Sequence, residues 1–571
     1  MADVCIHTGP HDSSVSIIKD GKLYHFIEER FSHIKHASTA MYAVDHIKEH
    51  CDEIENLSFS NLFFQNTDFG CYQAFISEIL KIKTPLLEGL VHIDHHYLHA
   101  NTSYRHSGFD DAIVLVIDGA GSQYTFGKEN LSVYKASNNN LEPVYKTVIG
   151  NGESITEDAP DFVDKKTNIG AGYVYTAVTE WLGFDTLDAG KTMGLSAYGN
   201  NDGRISELIS IEYCGTKSCK LKDNMYNNDG GIEYVKTSSI GHCGAIINNL
   251  PEDNLDTIKG YRDENLIHSV KKTANEFKQN IAYRVQKDYE KYLIHTCKKV
   301  LSMSKSKNLI LTGGCALNCV ANYKLLKSLP VDVNLYVDPT CDDSSVSIGG
   351  AYTTYNNQER TLNFKLTDLY KGRSLQYEYE LLDGEDEYEV TAKDITKIIS
   401  KGNIVAIAQG RSEIGPRALG NRSILFDPRV KNGKDIVNRV KKREWFRPFA
   451  GTVLLEHSRE WFDMNRLEES PFMMYAVDVL PEKRDLIQSI VHVDGTCRIQ
   501  TVTREQNKHY YDLISEFYKL TGVPILFNTS FNLAGDTMVD TIEDGLWTLR
   551  NSEIEYMYLP ETSSLIHVPN K

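Results

Sequence analysis

No apolar run in this chain of 571 residues approaches the roughly 20 residues that a membrane-spanning helix needs. The N-terminal stretch MADVCIHTGPHDSSVSII lacks the charged-then-apolar order of a signal peptide, so the expected location is the cytoplasm. Cysteines number only eleven, odd and scattered, which suits a reducing compartment and argues against a disulfide framework. Neither Cys214 and Cys219 nor Cys315 and Cys319 has a second closely spaced Cys/His pair nearby, so structural zinc is not expected. The P-loop and the dinucleotide fingerprint are missing. So are the Gly-x-Ser-x-Gly elbow and a Cys/His nucleophile signature, which leaves covalent hydrolase chemistry unsupported. Positive charge is in the minority: 61 Lys and Arg stand against 78 Asp and Glu, for a formal net charge of −17. That balance disfavours general nucleic-acid binding and an anionic membrane surface. What remains, 41% hydrophobic and 24% charged with no internal repeat, is a soluble globular composition with room for two to four domains.

One segment runs against the acidic background. Residues 411–447 carry eleven Lys or Arg and four Asp or Glu, with Gly415-Pro416-Arg417, Gly420-Asn421-Arg422 and Lys441-Lys442-Arg443-Glu444-Trp445-Phe446-Arg447 inside it. A solvated basic face would be Lys-rich and interspersed with Glu. Turn residues and apolar Ala418, Leu419, Ile424, Leu425 and Phe426 point instead to a buried or cleft site for a small planar anion, since Arg forks match carboxylate and phosphate oxygens.

Strand patterns at Val4–His7, Val15–Ile18 and Lys22–Ile27 predict a hairpin system with the loop Gly9-Pro10-His11-Asp12-Ser13-Ser14 before its second strand. Helices are expected over about 40–51 and 72–80, and strands at 57–59, 90–93 and 112–117; the last ends in Asp118-Gly119-Ala120-Gly121-Ser122. Residues 170–200 read as helical, 200–260 as a polar insertion, and 264–303 as a long helix or helix pair. Alternation of strand and helix from 308 to 354 makes an α/β sheet the economical fold. The acidic, Tyr-rich stretch 374–390 reads as a loop and boundary, giving domains 1–370 and 371–571.

Asp94-His95-His96-Tyr97-Leu98-His99 puts His95 and His99 four apart, on one face if helical. Asp118 at a strand end and Asp342-Asp343 before a helix add carboxylates. Two imidazoles and two carboxylates suit Fe(II), Mn(II) or Zn(II) better than Ca²⁺ or Mg²⁺. The alternative is a polar helix face with no metal. Three glycine segments read as strand-to-turn anion loops: Gly119 and Gly121 with Ser122, Gly190 to Gly194 around Lys191, and Gly313-Gly314 leading to Asn318. Ordinary tight turns explain any one of them as well. Pro524 to Asn532 is an apolar strand ending in amides and hydroxyls; Asn528 there is either a backbone cap or a group that fixes a planar carbonyl or amide.

In order along nearly the whole chain, His11-Asp12-Ser13, Glu28-Glu29-Arg30-Phe31-Ser32, His95 to Ala100, Gly190 to Leu195, Gly313 to Asn318, Gly415 to Ser423, Phe446 to Ala450, Asp494 to Arg498 and Phe527 to Asn532 resemble the O-carbamoyltransferase family of NodU, TobZ and CmcH. The resemblance implies an α/β protein with an actin-like (ASKHA, TsaD-like) N-terminal domain and a YrdC-like C-terminal domain. It implies an ATP-dependent O-carbamoyltransferase in which carbamoyl phosphate and ATP give carbamoyl-adenylate and the carbamoyl group passes to an acceptor hydroxyl. By motif position His95, His99, Asp118 and Asp343 would hold an iron-type metal. Arg417, Lys441, Arg447, Arg498 and Asn528 would hold carbamoyl phosphate, with Lys441 and Arg447 catalytic there. Gly119, Gly121, Ser122, Lys191, Gly313, Gly314 and Asn318 would face the nucleotide, and His11 would activate the acceptor.

Two other readings stand beside it: an actin-superfold, metal-dependent ATPase or kinase, which leaves the Arg-dense region idle, and a catalytically retired RNA- or protein-binding regulator, which would have lost some of these ligands. The partner expected is a small hydroxylated acceptor, conceivably a modified nucleotide, with no membrane and no general nucleic-acid binding. A homodimer is the default assembly.

Overall fold

The computed structural model describes residues 2–61, 69–85, 94–149, 159–164, 170–203, 205, 207–209, 272–356 and 365–570. The expected strand at 90–93, Cys214 and Cys219, nearly all of the 200–260 insertion and the start of the helix expected from 264 lie outside these residues. Two compact units emerge, Met1–Phe109 with Asp338–Lys571, and Asp110–Val337.

The first unit begins with β1 (Ala2–Thr8), β2 (Ser14–Lys19) and β3 (Lys22–Ile27), which pair antiparallel in sequence order. After α1 (Met41–Asp45), which tightens into a 3₁₀ turn over His46–Glu49, β4 (Ile54–Asn61) joins parallel to β1. The order is β3-β2-β1-β4. The helix expected over 72–80 is α2 (Phe69–Ala74) running into a π turn, Phe75–Ile79. Next comes α3 (His95–Ser107), capped by the Asp94 carboxylate, which accepts from the Tyr97 N–H at 2.9 Å, and stopped by Gly108 at φ 68°.

The chain then builds the second unit. β5 (Asp111–Ile117) is followed by β6 (Gln123–Tyr124), β7 (Gly127–Ser137) and β8 (Asn140–Ile149), then α4 (Ala171–Trp181), α5 (Ala189–Ser196) and the 30-residue α6 (Lys272–Leu301). β9 (Asn308–Thr312), α7 (Cys319–Ser328) and β10 (Asn334–Val337) complete it. The order is β10-β9-β5-β7-β6 with β8 on β7; β10, β9 and β5 run parallel.

Back in the first unit, α8 (Val346–Asn356) packs against α3, β1, β2 and β4. A nine-stranded mixed sheet follows, in the order β11-β19-β18-β12-β13-β17-β14-β16-β15. Its strands are β11 (Asp386–Glu389), β12 (Val405–Ala408), β13 (Arg422–Phe426), β14 (Ala450–Leu454), β15 (Ala476–Asp478), β16 (Thr496–Val502), β17 (Ile525–Ser530), β18 (Tyr556–Leu559) and β19 (Ser564–His567). Helices α9 (Ala392–Ser400), α10 (Gly433–Val440), α11 (Lys508–Thr521) and α12 (Ile542–Arg550) interleave with them. Both units are thus mixed α/β.

The boundary expected near residue 370 falls inside the first unit. One apolar cluster there joins Cys5, Ile18 and Leu23 of the small sheet, Ile348, Ala351 and Tyr352 of α8, and Leu369, Ile414, Leu419, Ala450 and Met473. Two expectations about local structure need correction. Gly190–Gly194 is not a strand-to-turn loop but the body of α5, with no strand leading into it. The stretch 374–390 is not all loop: Asp386–Glu389 pairs antiparallel with β19 as a fully exposed edge strand.

Candidate functional site

Two centres form within the first unit. The first is set by α3 and by the 3₁₀ turn Asp343–Ser345 that leads into α8. His95 and His99 lie one turn apart and both are buried. Their Nε2 atoms are 3.1 Å from each other, and each is 3.4 Å from Asp343 Oδ1. Gly349 makes this approach of α8 to α3 feasible, because a Cβ there would sit 2.3 Å from the Leu98 carbonyl oxygen. Of the acidic pair, Asp343 faces the histidines, and burial beside His95 and His99 leaves its carboxyl well below the usual range because the imidazoles outweigh desolvation. Asp342 turns to the Ser344 hydroxyl instead. Burial, with Asp12, Asp343 and Glu29 nearby, pushes its carboxyl up to about 7.

His11 joins this centre from the β1–β2 loop, its Nε2 3.7 Å from Asp343 Oδ2. Its Nδ1 meets Asp12 Oδ2 at 3.0 Å, and Asp12 Oδ1 meets His36 Nδ1 at 2.8 Å. Asp12 holds the left-handed φ of 56° while bridging the two rings. His7, fully buried on β1 with Nδ1 2.8 Å from Ser60 Oγ, belongs to the same neighbourhood. Its ring centroid is 6.5 Å from that of His95, and burial lowers its basicity to about 3. Nothing in the pattern of β1 marks His7 apart from its strand position, so it was not singled out from sequence.

The second centre lies on one face of the nine-stranded sheet. Leu425, Asn528, Ala450 and Arg498 stand opposite one another across β13, β17, β14 and β16, so their side chains share a face. Two residues along, Thr452 and Gln500 are paired on that face, 2.8 Å apart. Lys441, just past the end of α10, is buried and donates to the Ser530 carbonyl, to Ser530 Oγ at 3.2 Å and to Asn532 Oδ1 at 3.0 Å. Burial, with Arg443 and Arg447 close by, holds its ammonium well below the ordinary lysine range. Arg443 is lowered in the same way, by burial and by Arg447 and Arg498, with Glu444 opposing. Arg447 meets Glu444 only at 3.9 Å. Asn438 braces the loop that carries both arginines: it accepts from Arg443 Nε at 2.8 Å and donates to the carbonyls of Trp445 and Arg447. Burial and neighbouring cations thus lower both Lys441 and Arg443.

The basic block divides in the fold. Arg422, fully buried, is a strut rather than an anion ligand: it donates to the carbonyls of Gln409, Asn421, Gly410 and Asp540. Arg429 pairs with Asp427. Next to Arg417, the carbonyl of Ala418 accepts from Asn528 Nδ2 at 3.2 Å, and the Arg417 charge acts on the buried thiol of Cys341. Arg443, absent from the expected set, lies among the expected cations, stacked 4.3 Å over Phe449. Its place in the Lys441–Arg447 run was the signal that could have found it.

In the second unit, Asp118 ends β5, and Gly313-Gly314 end the adjacent parallel β9, where ligands collect in open α/β sheets. A Cβ on Gly313 (φ 85°) would press on the Ile117 carbonyl at 2.5 Å. The loop N–H groups are already engaged: Gly119 with Asp118 Oδ1 at 2.6 Å, Gly121 with the Glu129 carbonyl, Ser122 with Glu129 Oε1 at 2.8 Å. Asn318 caps α7 and bonds to Gln286. Lys191, on α5, pairs with Asp188 at 2.7 Å.

An α/β frame thus carries a cation-lined sheet face and an imidazole–carboxylate centre. Residues 31–352 match the family described as carbamoyltransferase N-terminus, and residues 396–564 the one described as carbamoyltransferase C-terminus. The chain therefore belongs to the carbamoyltransferase family and is a transferase. Nodulation protein NolNO of Sinorhizobium fredii is 29% identical over 590 residues, covering 96% of this chain and 78% of that protein. Nodulation protein NolO of Bradyrhizobium diazoefficiens is 31% identical, covering 81% and 77%. Among solved structures, full-length HypF in its phosphate- and nucleotide-bound form overlays with a TM-score of 0.34 at 12% identity over 63% of this chain and 56% of that one, a likeness too slight to bear on ligand or mechanism. Among the described residues no helix is long and apolar enough to cross a membrane.

Proposed function

We propose that the chain is an ATP-dependent O-carbamoyltransferase that forms carbamoyl-adenylate and passes its carbamoyl group to a hydroxyl of a small acceptor. The observation that carries this is the cluster of Lys441, Arg443, Arg447 and Arg498 about the face bearing Asn528, where burial and the neighbouring cations hold Lys441 and Arg443 below their ordinary range, a strain that an anionic substrate would relieve. Carbamoyl phosphate gives up inorganic phosphate to water; the carbamate oxygen attacks the α-phosphorus of ATP, and pyrophosphate leaves. The cations stabilise the charge on the departing phosphate. In the second step the acceptor oxygen attacks the carbamoyl carbon, AMP leaves, and His11 Nε2 takes the hydroxyl proton. Asp12 on Nδ1 suits that assignment, since it holds the ring with Nε2 turned away.

His95, His99 and Asp343 fit a divalent transition metal, because three buried N and O donors converge within 3.4 Å, and iron, manganese or zinc would each suit the set. Such an ion would supply Lewis acidity to the carbamoyl or phosphoryl oxygens. The location proposed is the cytoplasm and the assembly a homodimer. The test follows label from [¹⁴C]carbamoyl phosphate. Arg447→Ala should abolish carbamoyl-adenylate, whereas His11→Ala should still form it and fail to label small hydroxylated molecules of a cell extract. Equal loss of adenylate in both variants would contradict this division of roles.

A further inference from the structure

The β1–β2 loop, the helical turn Glu29–Ser32 and the segment after that turn are fastened together through the backbone of Ser13. Ser13 donates its N–H to the Ala37 carbonyl at 2.9 Å, and its carbonyl accepts the Glu28 N–H at 2.9 Å. Each residue of that staple has a metal-binding type of side chain as its neighbour: Asp12 beside Ser13, Glu29 beside Glu28, and His36 beside Ala37. One ligand atom from each of Asp12, Glu29 and His36 lies within 4.8 Å of the other two. Asp12 Oδ1 and His36 Nδ1 are 2.8 Å apart. Adjacent ligands of one ion with bonds of about 2.1 Å stand at roughly 3 Å, so the pair already has that spacing. Ser13 is fully buried, and its Oγ has no hydrogen-bond partner among the described residues. A hydrated ion beside it would supply one.

A simple ion pair between His36 and Asp12 accounts for two of these groups and leaves Glu29 over. The Glu29 carboxylate turns toward the same place: Oε2 accepts the His36 N–H at 3.1 Å, while the ion pair of Oε1 with Arg30 spans 3.9 Å. The donors also differ from those of the His95–His99–Asp343 centre. One imidazole and two carboxylates make a harder set than two imidazoles and one carboxylate. Side-chain exposures of 18% for Asp12, 20% for Glu29 and 34% for His36 leave room for water as further ligands. Such a set suits Mn(II), and holds it less tightly than a buried site does.

We propose that Asp12, Glu29 and His36 form a second divalent-cation site, of Mn(II) type with water completing the shell, beside His11. It shares no ligand with the buried centre. His11 stands between the two, its Nδ1 3.0 Å from Asp12 Oδ2 and its Nε2 3.7 Å from Asp343 Oδ2. With Oδ1 on the ion, Asp12 keeps Oδ2 for His11, so the ion fixes the carboxylate that orients this ring. The site itself does not depend on the carbamoyl chemistry proposed above.

The measurement is Mn(II) binding to the full chain, stripped with a chelator and titrated while the electron paramagnetic resonance signal of free Mn(II) is followed. Wild type should bind two equivalents, the second more weakly. Glu29→Gln and His36→Gln should each bind one, as should Asp343→Asn, and Glu29→Gln combined with Asp343→Asn should bind none. Circular dichroism checks that each variant is folded. Should both Glu29→Gln and His36→Gln fail to fold, the count in wild type against Asp343→Asn decides. One equivalent in wild type, lost in Asp343→Asn and kept in Glu29→Gln and His36→Gln, would overturn the second site and leave the buried one. Two equivalents persisting in Glu29→Gln and His36→Gln would overturn it as well. One equivalent in wild type, lost in Glu29→Gln and kept in Asp343→Asn, would support this site and remove the buried one instead. No binding to wild type would remove both.

Discussion

Arg422→Met should unfold the C-terminal sheet more easily without touching the anion site in molecules that remain folded. The Arg422 guanidinium serves four carbonyls, those of Gln409, Asn421, Gly410 and Asp540, over 2.6–3.4 Å. It ties β13 to the end of β12 and to the segment entering α12. Methionine fills much of the volume but removes the donor of the Gln409 and Asp540 carbonyls, while the Asn421 carbonyl keeps the Gln409 N–H at 3.1 Å and the Gly410 carbonyl keeps the Leu375 N–H at 2.8 Å. At about 1–2 kcal/mol for each of the two, the gross loss is about 2–4 kcal/mol. Removing a desolvated cation offsets part of it, so a net destabilisation of about 2 kcal/mol is expected. In urea titrations followed by a probe in the C-terminal sheet, that corresponds to a midpoint lower by about 0.5–1 M. Arg422→Lys should recover little, because an ammonium cannot span the same four acceptors. Inhibition by inorganic phosphate in exchange assays should be unchanged where the variant is folded. An unshifted urea midpoint would refute the strut assignment, as would a folded variant with weakened phosphate binding.

Other predictions follow from the same geometry. Asp343→Asn should lose bound transition metal by elemental analysis while Asp342→Asn retains it, since Asp343 alone of the pair faces His95 and His99. Gly349→Ala should lower stability by about 1–3 kcal/mol by forcing α8 away from the Leu98 carbonyl, and should reduce metal content with it; calorimetry and elemental analysis check the two effects. Glu28, buried, accepts from the N–H groups of Tyr42 and Ala43, yet burial pushes its carboxyl up to about 7. A carboxyl raised on folding favours the native state below its unfolded value and loses that contribution as pH rises through about 7. Glu28→Gln should therefore match wild type near pH 4.5 and exceed it at pH 8 by up to about 3 kcal/mol in denaturant titrations.

What could be read from the sequence was local. The hairpin of β1 to β3, the buried run of β5 and the His95–His99 spacing are patterns of two to seven residues, and the fold keeps each of them. Longer-range relations were not legible. Arg422 and Arg447 look alike in the basic block, but one is consumed by carbonyls contributed from as far as Asp540 and the other stands in the cationic cluster. The edge strand Asp386–Glu389 is acidic and exposed, so no apolar alternation announces it; its partner lies about 180 residues away in β19. Gly190 and Gly194 suggested a turn because glycine is permissive, yet their surroundings continue a helix. Motif order along the chain is more telling than composition, since the ordered motifs resemble one family whereas the composition fits any globular protein.

The central claim is that the cationic face of the C-terminal sheet uses carbamoyl phosphate to load AMP. It is tested most directly by incubating the purified full chain with ATP, labelled pyrophosphate and a divalent metal, with and without carbamoyl phosphate. Label should enter ATP only when carbamoyl phosphate is present, and Lys441→Met or Arg447→Ala should abolish the exchange. Exchange that proceeds equally without carbamoyl phosphate, or no exchange from a folded, metal-loaded protein, would contradict the claim.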